Sequence, residues 1–192
     1  MNQITKENIQ IVEAALLNRH SVRHFNSNKI PHQDLLRLVK AGIHAPSGSN
    51  WQNQRFLLVE DDEELMRIGK HRFVWPYKGA NHQRIKKNYP AGIIGNSAAA
   101  IIVFSNSLDN DRRGNGEYYL WEGLESQNCS ASIENILTLA TAMGIGSCWV
   151  SASDKMNYTR MFSGQSWRKI FANYQIPSYY KLQGIVILGY PR

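Results

Sequence analysis

The 192-residue sequence is poor in the residues that build metal and disulfide sites. It has two cysteines, Cys129 and Cys148, with no CxxC and no Cys/His zinc spacing, which excludes a disulfide framework and a structural zinc. Two buried free thiols in a reducing cytosol are expected. No HExxH and no GxSxG nucleophile elbow occurs, so hydrolase chemistry has no visible catalyst. GxGxxG and GxxxxGK[ST] are absent as well, so neither a dinucleotide-binding nor a P-loop fold is signalled. No apolar run approaches the ~20 residues needed to span a bilayer, and Met1 to Gln10 lacks an apolar signal core. A cytoplasmic protein with no membrane partner is the expectation.

Runs of one charge are also missing. The net charge is +7, yet the densest spots are Arg84-Ile85-Lys86-Lys87 and Arg112-Arg113. Neither reaches the roughly five or six like charges of a nucleic-acid arm. No nucleic-acid partner is expected, and attraction of a phosphorylated small molecule accounts for the excess equally well. An anion-binding or nucleic-acid-binding module stays as the remote alternative. Hydrophobic residues reach 43% and charged residues 19%, an ordinary globular composition. There are no internal repeats and no linker, so residues 1–192 read as a single domain.

The periodicities give a coarse element map. Thr5 caps a helix to Asn18, with Ile9, Val12 and Leu16 on one face. Pro31 opens a second helix, which buries Leu35, Leu38 and Val39 and runs to His44. Ala45 to Asn50 is a loop. Strands are predicted at Arg55 to Glu60, Ala99 to Ser105, Ser147 to Ser151 and Leu182 to Gly189, with helices at Glu63 to Lys70 and Trp167 to Tyr174. Glu117 to Met143 is the longest helix, closed by Gly144. Its apolar face is wide, which places it at the centre of the core or of a dimer interface. Arg72 to Gly95 is a long loop or a small lid. The irregular order of helices and strands favours α+β over a regular βαβ alternation.

Two segments are candidates for chemistry. Arg19-His20-Ser21-Val22-Arg23 follows the first helix. In an extended segment Arg19, Ser21 and Arg23 face one way, and two guanidiniums with a hydroxyl suit a phosphate or a polarised carbonyl. A solvated basic loop is the plainer reading of the same residues. Pro46-Ser47-Gly48-Ser49-Asn50-Trp51-Gln52 combines small residues, which allow close backbone approach to a flat ligand, with the amides of Asn50 and Gln52, which can both donate and accept. A polar turn is the plainer reading there. Gly144 to Ala152 alone is an ordinary helix-to-strand turn.

In order, these pieces resemble the FMN-dependent nitroreductase family. The matching features are RHSVRHF at Arg19 to Phe25, APSGSNWQNQRF at Ala45 to Phe56, ENILTLATAMGIGSCW at Glu134 to Trp149, and the closing strand into GYP at Gly189 to Pro191. The resemblance implies a nitroreductase-like sandwich around a mostly antiparallel sheet, in an intertwined homodimer with FMN at the interface. It implies that Arg19 and Ser21 hold the phosphate and ribityl chain, that His20 contributes through its backbone, and that Arg23 lies beside the N1–O2 edge of the ring. Pro46, Ser47, Gly48, Asn50 and Gln52 then belong to the loop reaching the partner subunit's flavin. Ser151 and Ala152 fall where a backbone N–H meets N5. NADH or NADPH is the implied electron donor, and a small electron-poor molecule such as a nitroaromatic or quinone the substrate, by ping-pong hydride transfer. No catalytic side chain and no metal are implied. A dehydrogenase, dehalogenase or oxygen-dependent role in the same fold is the alternative.

Three departures from the family stand out. The chain ends at Arg192, where many members continue to further basic residues, so either Arg192 or another basic residue takes that role, or FMN binds more weakly, or the sequence is a short form. Asn53-Gln54 replaces the family's Pro-Trp. Arg72 to Gly95 does not align clearly, which leaves Asn81, Lys86 and Lys87 as candidates for contact with the ring.

Overall fold

The computed structural model describes residues 5–70, 93–106, 123–151 and 167–192. Helix α1 (Lys6–Asn18) is opened by a capping box: the Thr5 side chain accepts from the Asn8 N–H, and the Asn8 side chain accepts from the Thr5 N–H. Pro31 is the N-cap of α2 (His32–Ile43), one position before the helix starts. Strand β1 (Gln54–Val59), helix α3 (Asp62–Lys70) and strand β2 (Ala99–Asn106) follow. Helix α4 (Leu124–Ala142) is ended by Gly144 at φ 69°, a left-handed position that suits a residue without Cβ. Residues 117–122, predicted as its first turns, lie outside the described residues. Strand β3 (Gly146–Ser151), the single-turn α5 (Trp167–Ile170) and strand β4 (Tyr180–Gly189) complete the order. The predicted last helix is broken: after α5 the chain tightens into a 3-10 turn at Ala172–Tyr174.

Among the described residues the sheet has the order β1-β2-β4-β3, with each neighbouring pair antiparallel. Strands β2 and β4 are central, and period-2 alternation sends their side chains into two cores. Ala100, Ile102, Phe104, Leu182, Ile185 and Ile187 face α3 and α5. Ala99, Ile101, Val103, Val186 and Leu188 face α2 and α4. The result is a helix–sheet–helix sandwich, α+β as the irregular element order suggested. Helix α4 is the centre of the second core, where Cys129, Ile133, Ile136 and Ala140 are fully buried. Helix α1 packs against α4 but buries only Ala15. Ile9, Ile11, Val12, Leu16 and Leu17 stay exposed, Leu17 to 85%. The helix therefore covers α4 through Ala15 and leaves these apolar side chains facing solvent.

Both cysteines are free and buried, and burial pushes the Cys129 thiol up to about 12, so it stays protonated. On the other face of the sheet, Phe171 meets Phe104 edge to face at 6.1 Å. Arg67 ties this corner together. Its guanidinium makes a two-pronged contact with Glu64 at 2.6 and 2.5 Å and donates to the Ile170 carbonyl at 2.7 Å.

The Arg67 hydrogen bonds hold the Glu64 carboxyl below its ordinary value of 4.5. A depressed carboxyl stabilises the fold fully above the unfolded value and loses that contribution as pH falls through the folded one. Glu64→Gln is therefore expected to lower the unfolding free energy by about 1 kcal/mol near neutral pH. The difference from wild type should shrink toward zero below the ordinary value of 4.5. Urea titrations of both proteins at neutral and at acid pH measure the gap.

Candidate functional site

Arg19 ends α1 in an extended conformation, and the chain then runs along the sheet. Ser21 bridges Ser147 in parallel, and the Val22 N–H donates to the Ser147 carbonyl at 2.8 Å. Further on, Phe25 bridges Pro191, and the Asn26 N–H donates to the Tyr190 carbonyl at 2.9 Å. Two side chains seat this stretch. A Cβ on Gly146 would sit 2.9 Å from Val22 Cγ1, and one on Gly189 would sit 2.6 Å from the Phe25 ring. These glycines clear the surface on which the segment lies. Ser21, Arg23 and His24 remain exposed between the anchors.

The rest of the predicted cationic set is close in the chain. Arg19 is partly exposed, with Nε 3.9 Å from Glu134 Oε1 on α4, a loose surface pair. His20 is exposed, its Nδ1 2.9 Å from the Asn18 carbonyl. The Arg192 N–H donates to the His24 carbonyl at 3.3 Å, so this exposed arginine lies beside the same stretch. Ser151 closes β3 opposite Gly184, at the other end of the strand from Ser147. Four residues of strand separate the two, about 13 Å. Trp149, between them, is 38% exposed. Ala152, Asn81, Lys86 and Lys87 lie outside the described residues.

The second candidate segment is a tight turn. Its Gly48–Asn50 stretch is a 3-10 helix, closed by Asn50 N–H to the Ser47 carbonyl and Trp51 N–H to the Gly48 carbonyl. The Ser47 hydroxyl accepts from the Gln52 N–H at 3.0 Å. Ser49, Asn50 and Gln52 have φ of 52°, 53° and 51°, left-handed values that cost of order 1 kcal/mol each for residues other than glycine. Pro46, Asn50 and Gln52 are exposed, and Ser47 and Gly48 half-buried.

Both segments rest on α4, at different points. Glu134 meets Arg19, and Asn128 accepts from the Gly48 N–H at 3.0 Å. Six helical residues separate these anchors, about 9 Å along the axis and about 120° around it. Within one chain the arginine stretch and the loop therefore approach different sides of α4.

A buried polar group around Asn128 was missed by reading the sequence. Asn128 donates to Asn53 Oδ1 at 3.1 Å, and the Asn53 carbonyl accepts from the Asn106 N–H at 2.8 Å. Nearby, Glu125 is 3% exposed, with Lys181 Nζ at 3.2 Å and the Ser105 hydroxyl at 3.4 Å. Gln183 donates to that hydroxyl at 2.8 Å. A signal was available: Glu125, Asn128 and Ser132 recur at i, i+3 and i+7, in phase with the buried apolar stripe. Among the described residues no His/Cys/Asp/Glu group could hold a metal ion. No helix among them is long and apolar enough to cross a membrane.

A sequence model of the Nitroreductase family matches residues 16–190. The chain belongs to the nitroreductase family. Among its relatives, an Archaeoglobus fulgidus protein provisionally named an NADH dehydrogenase/NAD(P)H nitroreductase is 28% identical over 175 residues, 91% of this chain and 82% of the relative. A shorter match, 47% identical over 45 residues, is to an iodotyrosine deiodinase of Thermotoga neapolitana and covers 23% of this chain and 24% of that one. A nitroreductase of Desulfitobacterium hafniense, crystallised with bound FMN, has the same fold, with a TM-score of 0.72 and 19% identity, covering 95% of this chain and 89% of the other.

The seating of residues 21–26 predicts that Gly146→Ala destabilises the nitroreductase fold by about 1–3 kcal/mol, because the new methyl group meets Val22 and the Gly189 carbonyl. Thermal unfolding gives the loss. Gly144→Ala meets nothing within 4 Å, and only its left-handed backbone opposes it. Its cost should be about 1 kcal/mol.

Proposed function

We propose that the chain is an FMN-dependent oxidoreductase that takes electrons from NADH or NADPH and delivers them to small electron-poor organic acceptors, nitroaromatics or quinones among them. The observation that carries this reading is the Arg19–Ser21–Arg23 run, partly exposed at Arg19 and exposed at Ser21 and Arg23, tied to the start of the edge strand β3 by the Val22 N–H to Ser147 carbonyl bond, with Ser151 at the strand's far end. That donor set fits an elongated ligand with a dianionic phosphate and a flat polar ring. A bound flavin would supply the two-electron relay between nicotinamide and acceptor.

The residues then divide the work. Arg19 and Ser21 bind the phosphate and ribityl chain, with His20 contributing its backbone. Charge-assisted contacts from guanidinium to phosphate are the stronger kind of hydrogen bond. Arg23 places a fixed positive charge beside the N1–O2 edge, where negative charge develops on reduction. Ser151 and Ala152 offer backbone near N5. Arg192, whose N–H donates to the His24 carbonyl, adds a further cation beside the same stretch.

Pro46, Ser47, Gly48, Asn50 and Gln52 complete the site from a second copy of the chain. The separation of the two α4 anchors supports a two-chain site. The exposed apolar side chains of α1 support it too, since several large apolar groups left exposed on one helix suit an interaction face. The working form is thus a homodimer, in the cytoplasm, with a small-molecule substrate and with neither nucleic acid nor membrane as partner.

The short match to a deiodinase favours one second reading, reductive dehalogenation on the same scaffold. Stopped-flow reduction of the bound flavin separates the two. Fast reduction by NADH or NADPH is expected of the reductase, and very slow reduction by both disfavours it.

The purified protein should be yellow with FMN and bleach anaerobically on adding NADH or NADPH. Protein that stays colourless after reconstitution with FMN refutes the proposal. Arg23→Gln should weaken FMN binding by roughly ten-fold or more, as loss of a charged hydrogen bond does, measured by quenching of flavin fluorescence.

A further inference from the structure

We propose that Asn128, on α4, is the positioning residue that holds the Ser47–Gln52 loop in its ligand-ready shape. The identity of that ligand as FMN rests on the reading given above. The anchoring itself rests on geometry alone.

Three of the four residues Ser49 to Gln52 occupy left-handed backbone conformations without being glycine. Such a run persists only where its surroundings enforce it. The loop's own bonds, Gln52 N–H to Ser47 Oγ and the two 3-10 bonds, close the turn but do not attach it to the fold. Attachment at its exit comes from Arg55, whose guanidinium donates to the Gln52 carbonyl at 2.9 Å. Attachment at its entry comes from α4. The Gly48 N–H points at Asn128 Oδ1, and the Gly48 Cα lies over Leu124, close enough that a Cβ would sit 3.1 Å from Leu124 Cδ2.

Asn128 is suited to this task because it is itself immobilised. It is 3% exposed, and its amide nitrogen donates to Asn53, which is fully buried. The Asn53 carbonyl in turn receives the N–H of Asn106 at the end of β2. One line of hydrogen bonds thus runs from the sheet through two asparagines to the backbone of the loop. A buried amide that merely filled space would not have its acceptor aimed at a half-exposed loop N–H.

The test reads the loop without the flavin and then with it. Ser49→Cys places a thiol on the loop, and the native thiols, Cys129 and Cys148, are buried. A nitroxide attached at that position in FMN-free protein should give a slow-motion spectrum, which becomes fast in the Asn128→Leu background and returns toward slow with Asn128→Asp. The aspartate keeps an acceptor for Gly48, and an inverted Asn53 amide can donate to it. All spectra are taken where circular dichroism shows folded protein, and Asn128→Ser replaces the leucine variant if that one does not fold. In the background without the added cysteine, FMN should dissociate roughly ten-fold more readily from Asn128→Leu than from wild type. Identical nitroxide spectra in all backgrounds overturn the proposal. So does a loop made mobile by Asn128→Leu while that variant binds FMN as tightly as a wild type that binds it. If wild type binds no FMN, the flavin reading fails and the nitroxide spectra alone decide whether Asn128 holds the loop.

Discussion

The dry burial of both faces of β2 and β4 is the constraint from which the rest of the molecule follows. Every residue of β2 is buried, and so is β4 from Gly184 onward. A sheet covered on both sides has no face left for a polar ligand, so binding chemistry is displaced to its edges and ends. The arginine stretch lies at one such place, the start of the edge strand β3. The loop from Ser47 to Gln52 lies at another, where β1 begins and α4 starts across the sheet. The same constraint fixes α4. Its apolar stripe is committed to the sheet, and only its flanks and first turns remain to grip the two segments.

Where apolar residues ran at period 2 or 3.6, the sequence was a good guide. The strands at Gln54–Val59 and Gly146–Ser151 fall within one residue of their expected bounds, because apolar runs end where turn residues begin. Thr5 was readable as a cap since only its hydroxyl stood at the right offset from an apolar helix. The break at Ile170–Ala172 was not readable, because Ile170 and Phe171 are both drawn into the same core, and this tightens the helix into a 3-10 turn. Nor was the fate of α1. Its face of Ile9, Val12 and Leu16 has helical spacing, but spacing does not say whether a face is covered by its own chain.

The candidate site divides along the same line. Arg19, Ser21 and Arg23 were visible as an alternating run, and the structure ties that stretch to the rest of the chain by bridges at Ser21 and Phe25. The left-handed residues of the loop could not be foreseen, since serine and glutamine announce no such backbone. The polar layer beneath the loop was hidden for another reason. Its members come from α4, β2, β4 and the segment before β1, and β4's bulge, in which Gln183 is the extra residue between Leu182 opposite Phe104 and Gly184 opposite Val103, turns Lys181 and Gln183 to the α4 side.

That layer also gives the departure at Asn53 a physical sense. An asparagine with no solvent exposure, whose side-chain amide nitrogen lacks a hydrogen-bond partner among the described residues, is a costly choice for a core position. Removing both amides of the Asn53–Asn128 pair together would leave an apolar contact that can be nearly neutral in stability, because a buried hydrogen bond contributes little net once both partners go. Stability alone therefore does not explain why the pair is there. What the pair adds is direction. It fixes the acceptor that meets the Gly48 N–H, and with it the entry of a loop whose backbone would otherwise relax toward right-handed conformations. On this view the two asparagines serve the shape of a binding surface, and the fold tolerates the cost of burying them.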